Sequence, residues 1–211
     1  SVLRLSEDEV LKGSLLITLY ENLRWKTISP QGFRDEMLAY LPNESNSLLF
    51  SMALSYLGDC QRIFPSDSRP LEQALWKIVT TNPVSQHRLQ AFRLYRSIAD
   101  SEEAVQRLYT LWQERKAPKD CALSESDYIG LSYMLAMHLP EKADKIIATQ
   151  LSRIQNPDRK KEYQFISPSV SPRKAERDSV FASLLIAGNR RVEPWASSAL
   201  ANLNHRLREQ E

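Results

Sequence analysis

The sequence predicts an all-α protein, an irregular array of antiparallel helix pairs in the manner of a HEAT- or armadillo-like superhelical domain. Three observations carry this. Apolar residues recur at helical spacing along nearly the whole chain. The 211 residues include only five glycines, and β-branched residues rarely cluster, which disfavours sheet. Helix-start signals, either a Ser, Asn or Asp or such a residue followed by proline, recur between the apolar stripes.

Taken in order, Ser6 with Glu9 reads as a capping box, and Leu15, Leu16, Leu19, Tyr20 and Leu23 follow on one helical face. Ser29-Pro30 opens the next helix, because proline in a first turn loses no useful donor, and Pro42 closes it. Ser47 to Phe64 is apolar nearly all round, which places this helix at the centre of the domain. Pro65 to Pro70 reads as a loop before a short helix carrying Leu75, Trp76, Ile78 and Val79. Asn82-Pro83 repeats the cap-then-proline start, and Val84, Ala91, Phe92, Tyr95 and Ile98 continue one face.

Asp100 and Ser101 begin an amphipathic helix with Ala104, Val105, Leu108, Leu111 and Trp112 on its stripe. Lys116 to Cys121 connects it to a broad apolar helix capped by Ser124, which ends before Pro140. Ala143, Ile146, Ile147, Leu151 and Ile154 form a narrower stripe. Asn156-Pro157 and Ser171-Pro172 both restart helices, the second running to about Ala187, where Gly188-Asn189 suits a left-handed helix end. Glu193-Pro194 opens the last helix, with Trp195, Leu200 and Leu203 inward. About ten or eleven short helices joined by short loops is the pattern of stacked helix pairs. Residues 1–211 therefore read as a single all-α domain. The chain begins without Met, so it is expected to be a fragment of a longer protein.

Composition excludes several functions. A formal charge of +2 is too weak to imply a polyanionic partner, and no basic stripe is interleaved with stacking aromatics, so nucleic acid is not expected. No apolar run of about 18 residues marks a membrane segment, and no signal peptide is visible, which leaves the compartment unassigned. Cys60 and Cys121 match no redox or zinc spacing and read as two buried thiols. His87, His138 and His205 lie far apart in sequence and read as surface or capping histidines. No phosphate loop or nucleophile elbow is present. Catalytic and metal-ligating residues are therefore expected to be none, and the chain by itself is expected to be inactive.

Two charged features remain. Arg177 falls among Val180, Phe181 and Leu184 on the apolar stripe of its helix, where an uncompensated charge is costly. It is expected to meet a carboxylate, with Glu193 the first candidate and Asp178 an intrahelical alternative. From Arg153 onward there are 11 Lys/Arg against 7 Asp/Glu, a basic bias that includes Arg190 and Arg191. These two are the candidate cavity-facing or interdomain residues, reading either as a solvated face or as a positive wall towards an anionic group such as a peptide C-terminus.

The stretches Asn156-Pro157-Asp158-Arg159-Lys160, Phe165-Ile166-Ser167-Pro168, Ser171 to Phe181, Asn189-Arg190-Arg191-Val192-Glu193-Pro194-Trp195 and Leu203-Asn204-His205-Arg206-Leu207-Arg208 resemble the C-terminal helical region of aminopeptidase N family zinc metallopeptidases. The resemblance is specific from Asn156 onward. Upstream it rests on helix order and on the spacing of segments such as Ile98-Ala99-Asp100-Ser101. It implies a parent enzyme that releases N-terminal residues from peptides with a zinc-activated water. The family's His-Glu-x-x-His and Gly-Ala-Met-Glu-Asn motifs are both absent here. Zinc would thus belong to a catalytic domain of the same polypeptide, which with peptide substrate would be the partner, and this chain would form a lid and chamber wall. Arg206 departs from the family's proline after the histidine, so that helix end is expected to differ. The family's domain also continues past this Leu-Arg pair, so Glu211 is expected to truncate it. The reading from another class is a stand-alone helical-repeat scaffold binding a protein partner.

Overall fold

The computed structural model describes residues 2–208. Among them the chain is all-helical, with no strand. The helices are α1 (Val2–Leu5), α2 (Glu9–Arg24), α3 (Pro30–Tyr40), α4 (Ser47–Ile63), α5 (Arg69–Thr81), α6 (Ser85–Ile98), α7 (Glu102–Glu114), α8 (Glu125–His138), α9 (Ala143–Arg153), α10 (Pro157–Ile166), α11 (Lys174–Leu184) and α12 (Glu193–Leu203), with 3-10 turns after α3, α8, α10, α11 and α12. They form two units. One runs through Ala104 and takes in Lys116–Ala122, and the other comprises Val105–Arg115 and the chain from Leu123.

In the first unit α4 is central, as its all-round apolarity requires. It packs on α2, α3 and α6 and buries Leu49, Phe50, Ala53, Leu54, Leu57 and Cys60. Each such Leu or Phe contributes about 1.5–3 kcal/mol by leaving water. Close approach of α4 and α6 depends on Gly58, where an added Cβ would lie 2.9 Å from a Leu94 methyl. Helices α5 and α6 pair along Leu71, Leu75, Ile78, Ala91, Phe92 and Tyr95, all buried. Buried Glu72 of α5 accepts hydrogen bonds from the Asp100 and Ser101 amides and the Ser101 hydroxyl, so it caps the start of α7 from another helix. Burial alone would raise the Glu72 carboxyl, but these donors and the Ser68 hydroxyl hold it below the usual carboxylate range.

The second unit pairs α8 with α9 and sets α10, α11 and α12 around the turn Ser167–Val170. Trp112 donates its indole N–H to Gln150 Oε1 at 2.8 Å. Arg153 lies over the Trp112 ring and donates to the carbonyls of Trp112 and Gln113, which satisfies the end of α7. Leu184, Ala196 and Ala199 form a small core flanked by Phe165, Val180 and Leu200. In α12 the buried residues are thus two alanines, while Trp195, Leu200 and Leu203 are half-buried.

Several helix ends differ from expectation. Asp8, not Ser6, is the N-cap of α2 and accepts from Val10 and Leu11, because its carboxylate outcompetes the more distant hydroxyl; Ser6 instead accepts from the Asp8 amide. Helix α5 starts at Arg69, so Pro70 lies in its first turn. Asn82 and Ser171 fix turns by accepting from Val84 and Arg173, and the helices begin just beyond, after Val84 and Arg173 respectively. Helix α11 stops at Leu184, and Gly188 sits in a 3-10 turn with negative φ, so no left-handed glycine ends it. That conformation occurs at Lys26 (φ 60°), where Thr27 N–H bonds Asn22 O and Lys26 N–H bonds Leu23 O beyond α2. This is the Schellman pattern, with lysine in the glycine position.

Candidate functional site

The C-terminal stretch begins where Asn156 accepts from the Asp158 and Arg159 amides and starts α10. Tyr163 of α10 is buried against Tyr133 and bonds the Ser132 hydroxyl at 3.0 Å. Burial raises both phenols, so they remain neutral. The chain then turns at Ser171 into α11, where Arg177 is 7% exposed, as its place on the apolar stripe predicts. Its guanidinium donates to the carbonyls of Ser171 (2.9 Å) and Pro172 (3.0 Å). These carbonyls lie in the turn before α11, where no helical donor reaches them. Glu193 stands exposed in the first turn of α12, and Asp178 pairs with Lys174 at 2.9 Å. Arg177 is thus brought to the backbone before its own helix, and not to Glu193 or Asp178.

Arg190 and Arg191 lie on the surface. Helix α11 ends at Leu184, and Asn189 folds the following turn back, its amide bonding Ile186 O and its side chain bonding Ser183 O. Every residue from Leu185 to Pro194 is exposed. The turn therefore presents Leu185 (68% exposed), Ile186 (62%) and Val192 beside the two arginines, with Phe181 one turn earlier on α11. Several other cations of this unit have acidic partners: Arg159 meets Glu125, Lys161 meets Asp158, and Arg173 spans Asp144 and Glu176. The pairings hold the Asp144 and Glu176 carboxyls below their usual range. Arg190 and Arg191 have no acidic partner among the described residues.

A second polar centre, not anticipated, lies in the first unit. Glu44, 4% exposed, accepts from the Tyr40 hydroxyl, from Lys12 Nζ at 3.2 Å and from the Asn46 amide at 2.6 Å. Burial alone would raise its carboxyl, but these donors hold it below the carboxylate range, while burial and the Glu44 charge raise Tyr40. Nearby, Ser47 Oγ lies 3.0 Å from His87 Nε2. His87 is wholly buried, stacked on Phe50 at 4.0 Å, and not the surface or capping histidine expected. Sequence held a signal for this: His87 precedes Ala91 and Tyr95 at four-residue steps on the apolar face of α6.

A serine beside a buried histidine invites comparison with a nucleophile and its base. The surroundings argue against it. His87 Nδ1 has no hydrogen-bond partner, so an imidazolium formed there would have a buried N–H without an acceptor. Burial accordingly lowers the ring's proton affinity, against the opposing pull of Glu44. Two of the first-turn amides of α4, at Leu48 and Leu49, are taken by Asn46 and are not available to an oxyanion. The cluster ties α4 to α6 as a structural polar core.

His138 and His205 come together in edge contact, with ring centroids 6.4 Å apart, although His205 Nδ1 also accepts from Leu207 N at 3.4 Å. Among the described residues no group of three or more His, Cys, Asp or Glu is placed to hold a metal ion. Cys60 and Cys121 are both buried, and burial raises the Cys60 thiol despite the Arg34 guanidinium beside it. No helix among the described residues is long and apolar enough to cross a membrane. Compared with known proteins, the chain matches no family model, no curated sequence and no solved structure.

Proposed function

We propose that the chain is the non-catalytic helical C-terminal domain of a zinc-dependent aminopeptidase, covering the catalytic domain and shaping how peptides reach it. The observation that carries this reading is the exposed Leu185–Pro194 turn. It holds the most distinctive of the family-like motifs, Asn189 to Trp195, and it displays apolar side chains and uncompensated arginines together. A surface of this composition has more to gain from a covering partner than from water. The proposed division of labour leaves zinc and the water it activates to the catalytic domain. This chain's contribution is a non-catalytic surface, its helix ends held by internal caps such as Glu72 at the start of α7 and Arg153 at its end.

The test compares hydrolysis of an aminoacyl reporter by this chain and by the full gene product that contains it, with zinc and then with a chelator. Activity confined to the full product and abolished by chelation is the expected result. Cleavage by the chain alone would mean that it carries a site of its own. Inactivity of both would favour the scaffold reading, in which the same helical array binds a protein partner.

A further inference from the structure

We infer that the surface from Phe181 to Val192 is a docking site for an acidic segment of a partner protein that also carries apolar side chains. The inference deepens the reading above by giving the chemistry of the partner surface, and it rests on that reading only for naming the partner as a catalytic domain.

Four exposed apolar residues, Phe181, Leu185, Ile186 and Val192, bracket Arg190 and Arg191 within one helix end and one turn. Both arginines are exposed and neither has a carboxylate among the described residues, in a unit where several other surface cations are neutralised by neighbours. Guanidinium groups present a planar fork that matches carboxylates two bonds at a time. Apolar contacts around such a pair exclude water and raise the worth of the ion pairs. The turn also needs little ordering on binding, because Asn189 already ties it to Ser183 and Ile186.

Charge decides among the occupants. A second copy meeting this surface across a two-fold axis would face arginines with arginines. Nucleic acid or an anionic membrane needs a longer run of unpaired cations than two. A segment with two carboxylates flanked by Leu or Phe satisfies both halves of the surface.

The direct test is a nuclear magnetic resonance titration of the whole isotope-labelled chain with acetyl-Leu-Asp-Glu-Phe-amide and with its Leu-Asn-Gln-Phe counterpart. The acidic peptide should bind weakly, shift the amides of residues 181–192 and saturate, and the neutral peptide should not. The Arg190→Gln/Arg191→Gln variant should lose about tenfold or more in affinity with an unchanged circular dichroism spectrum. A Leu185→Ser/Ile186→Ser variant should weaken binding even at high salt, where charge attraction is screened. Shifts elsewhere in the chain, equal response to both peptides, or an unaltered arginine variant would overturn the inference. So would self-association of the wild-type chain that the arginine variant abolishes, since the occupant would then be a second copy. A chain that binds the acidic peptide through these arginines while its full gene product has no peptidase activity would keep the docking site and discard the aminopeptidase reading. An active full product with an indifferent arginine surface would do the reverse.

Discussion

The polar centre around Glu44 and the turn from Leu185 to Pro194 use charge in opposite ways. Around Glu44 the carboxylate is buried and saturated by Tyr40, Lys12 and Asn46. In the turn, two arginines and three large apolar side chains face water, and the arginines have no ion-pair partner among the described residues. The first arrangement is closed: its hydrogen bonds serve the fold, and little capacity is left for a ligand. The second is open, so its chemistry is available to another molecule. The contrast does not follow residue type, because Ser47 and His87 look more catalytic than Arg190 and Arg191, yet His87 is enclosed against Ser47 and Phe50 while the arginines face water.

The contrast can be broken most directly at Glu44. Glu44→Ala strands the Lys12 ammonium, the Tyr40 hydroxyl and the Asn46 amide together, and should cost about 3 kcal/mol in urea unfolding. A loss below about 0.5 kcal/mol, the range of ordinary surface changes, would show that the cluster is not the closed centre described. Arg177→Ala is the next largest, about 2 kcal/mol, because Pro172 O loses its guanidinium donor, Ser171 O keeps only the longer contact from Arg208 Nη2 at 3.4 Å, and a buried stem is removed. Glu193→Ala should be almost neutral in the same assay, and an equal loss from both would restore the ion pair first expected between them.

Acid should act in two stages. Burial holds the His87 ring below its ordinary value, so the folded chain favours the neutral form. That contribution is complete above about pH 6.5 and is lost as pH falls from there through the folded value. The Glu44 and Glu72 carboxyls are also depressed, so their contribution is complete above about pH 4.5 and is lost as pH falls through their folded values. The urea midpoint measured from pH 8 to 4 should therefore begin to fall near 6.5. In His87→Gln the upper stage should vanish and the lower stage remain; an unchanged upper stage would assign it to another group.

Smaller effects sharpen the comparison from the surface. Lys26→Gly relieves a left-handed lysine and should stabilise the chain by about 0.5–1 kcal/mol, visible as a higher thermal midpoint. Arg190→Ala and Arg191→Ala should each change stability by less than about 0.5 kcal/mol, since neither side chain is paired in the fold. A larger loss would place them with the closed groups and remove the argument for docking.

Much of the fold was legible because helix starts and buried faces are local. Ser29, Ser124 and Asn156 cap as read, since the amides they accept lie within three residues of each. The helix starts read at Ser6, Asn82 and Ser171 each lie two residues early, because several acceptors and prolines compete within a single turn. Arg177 was legible as a buried charge from its place on the helical stripe, but its partners are backbone carbonyls, which every residue possesses and no side-chain pattern reveals. His87 also sat on an apolar stripe, yet only the fold brings it to Ser47 and Phe50, some forty residues away in sequence.

The sequence by itself determined the all-α class, the approximate helices, the central place of α4, and Arg190 and Arg191 as residues of interest. Helical periodicity and capping act within about four residues, so a linear pattern is enough to carry them. Tertiary structure decided that Glu72 caps α7, that His87 is enclosed, that Arg177 turns to Ser171 and Pro172, and that Arg190 and Arg191 go without carboxylates among the described residues. Each of these depends on which groups meet after distant helices pack, and a buried polar group takes whichever partner that packing places within reach.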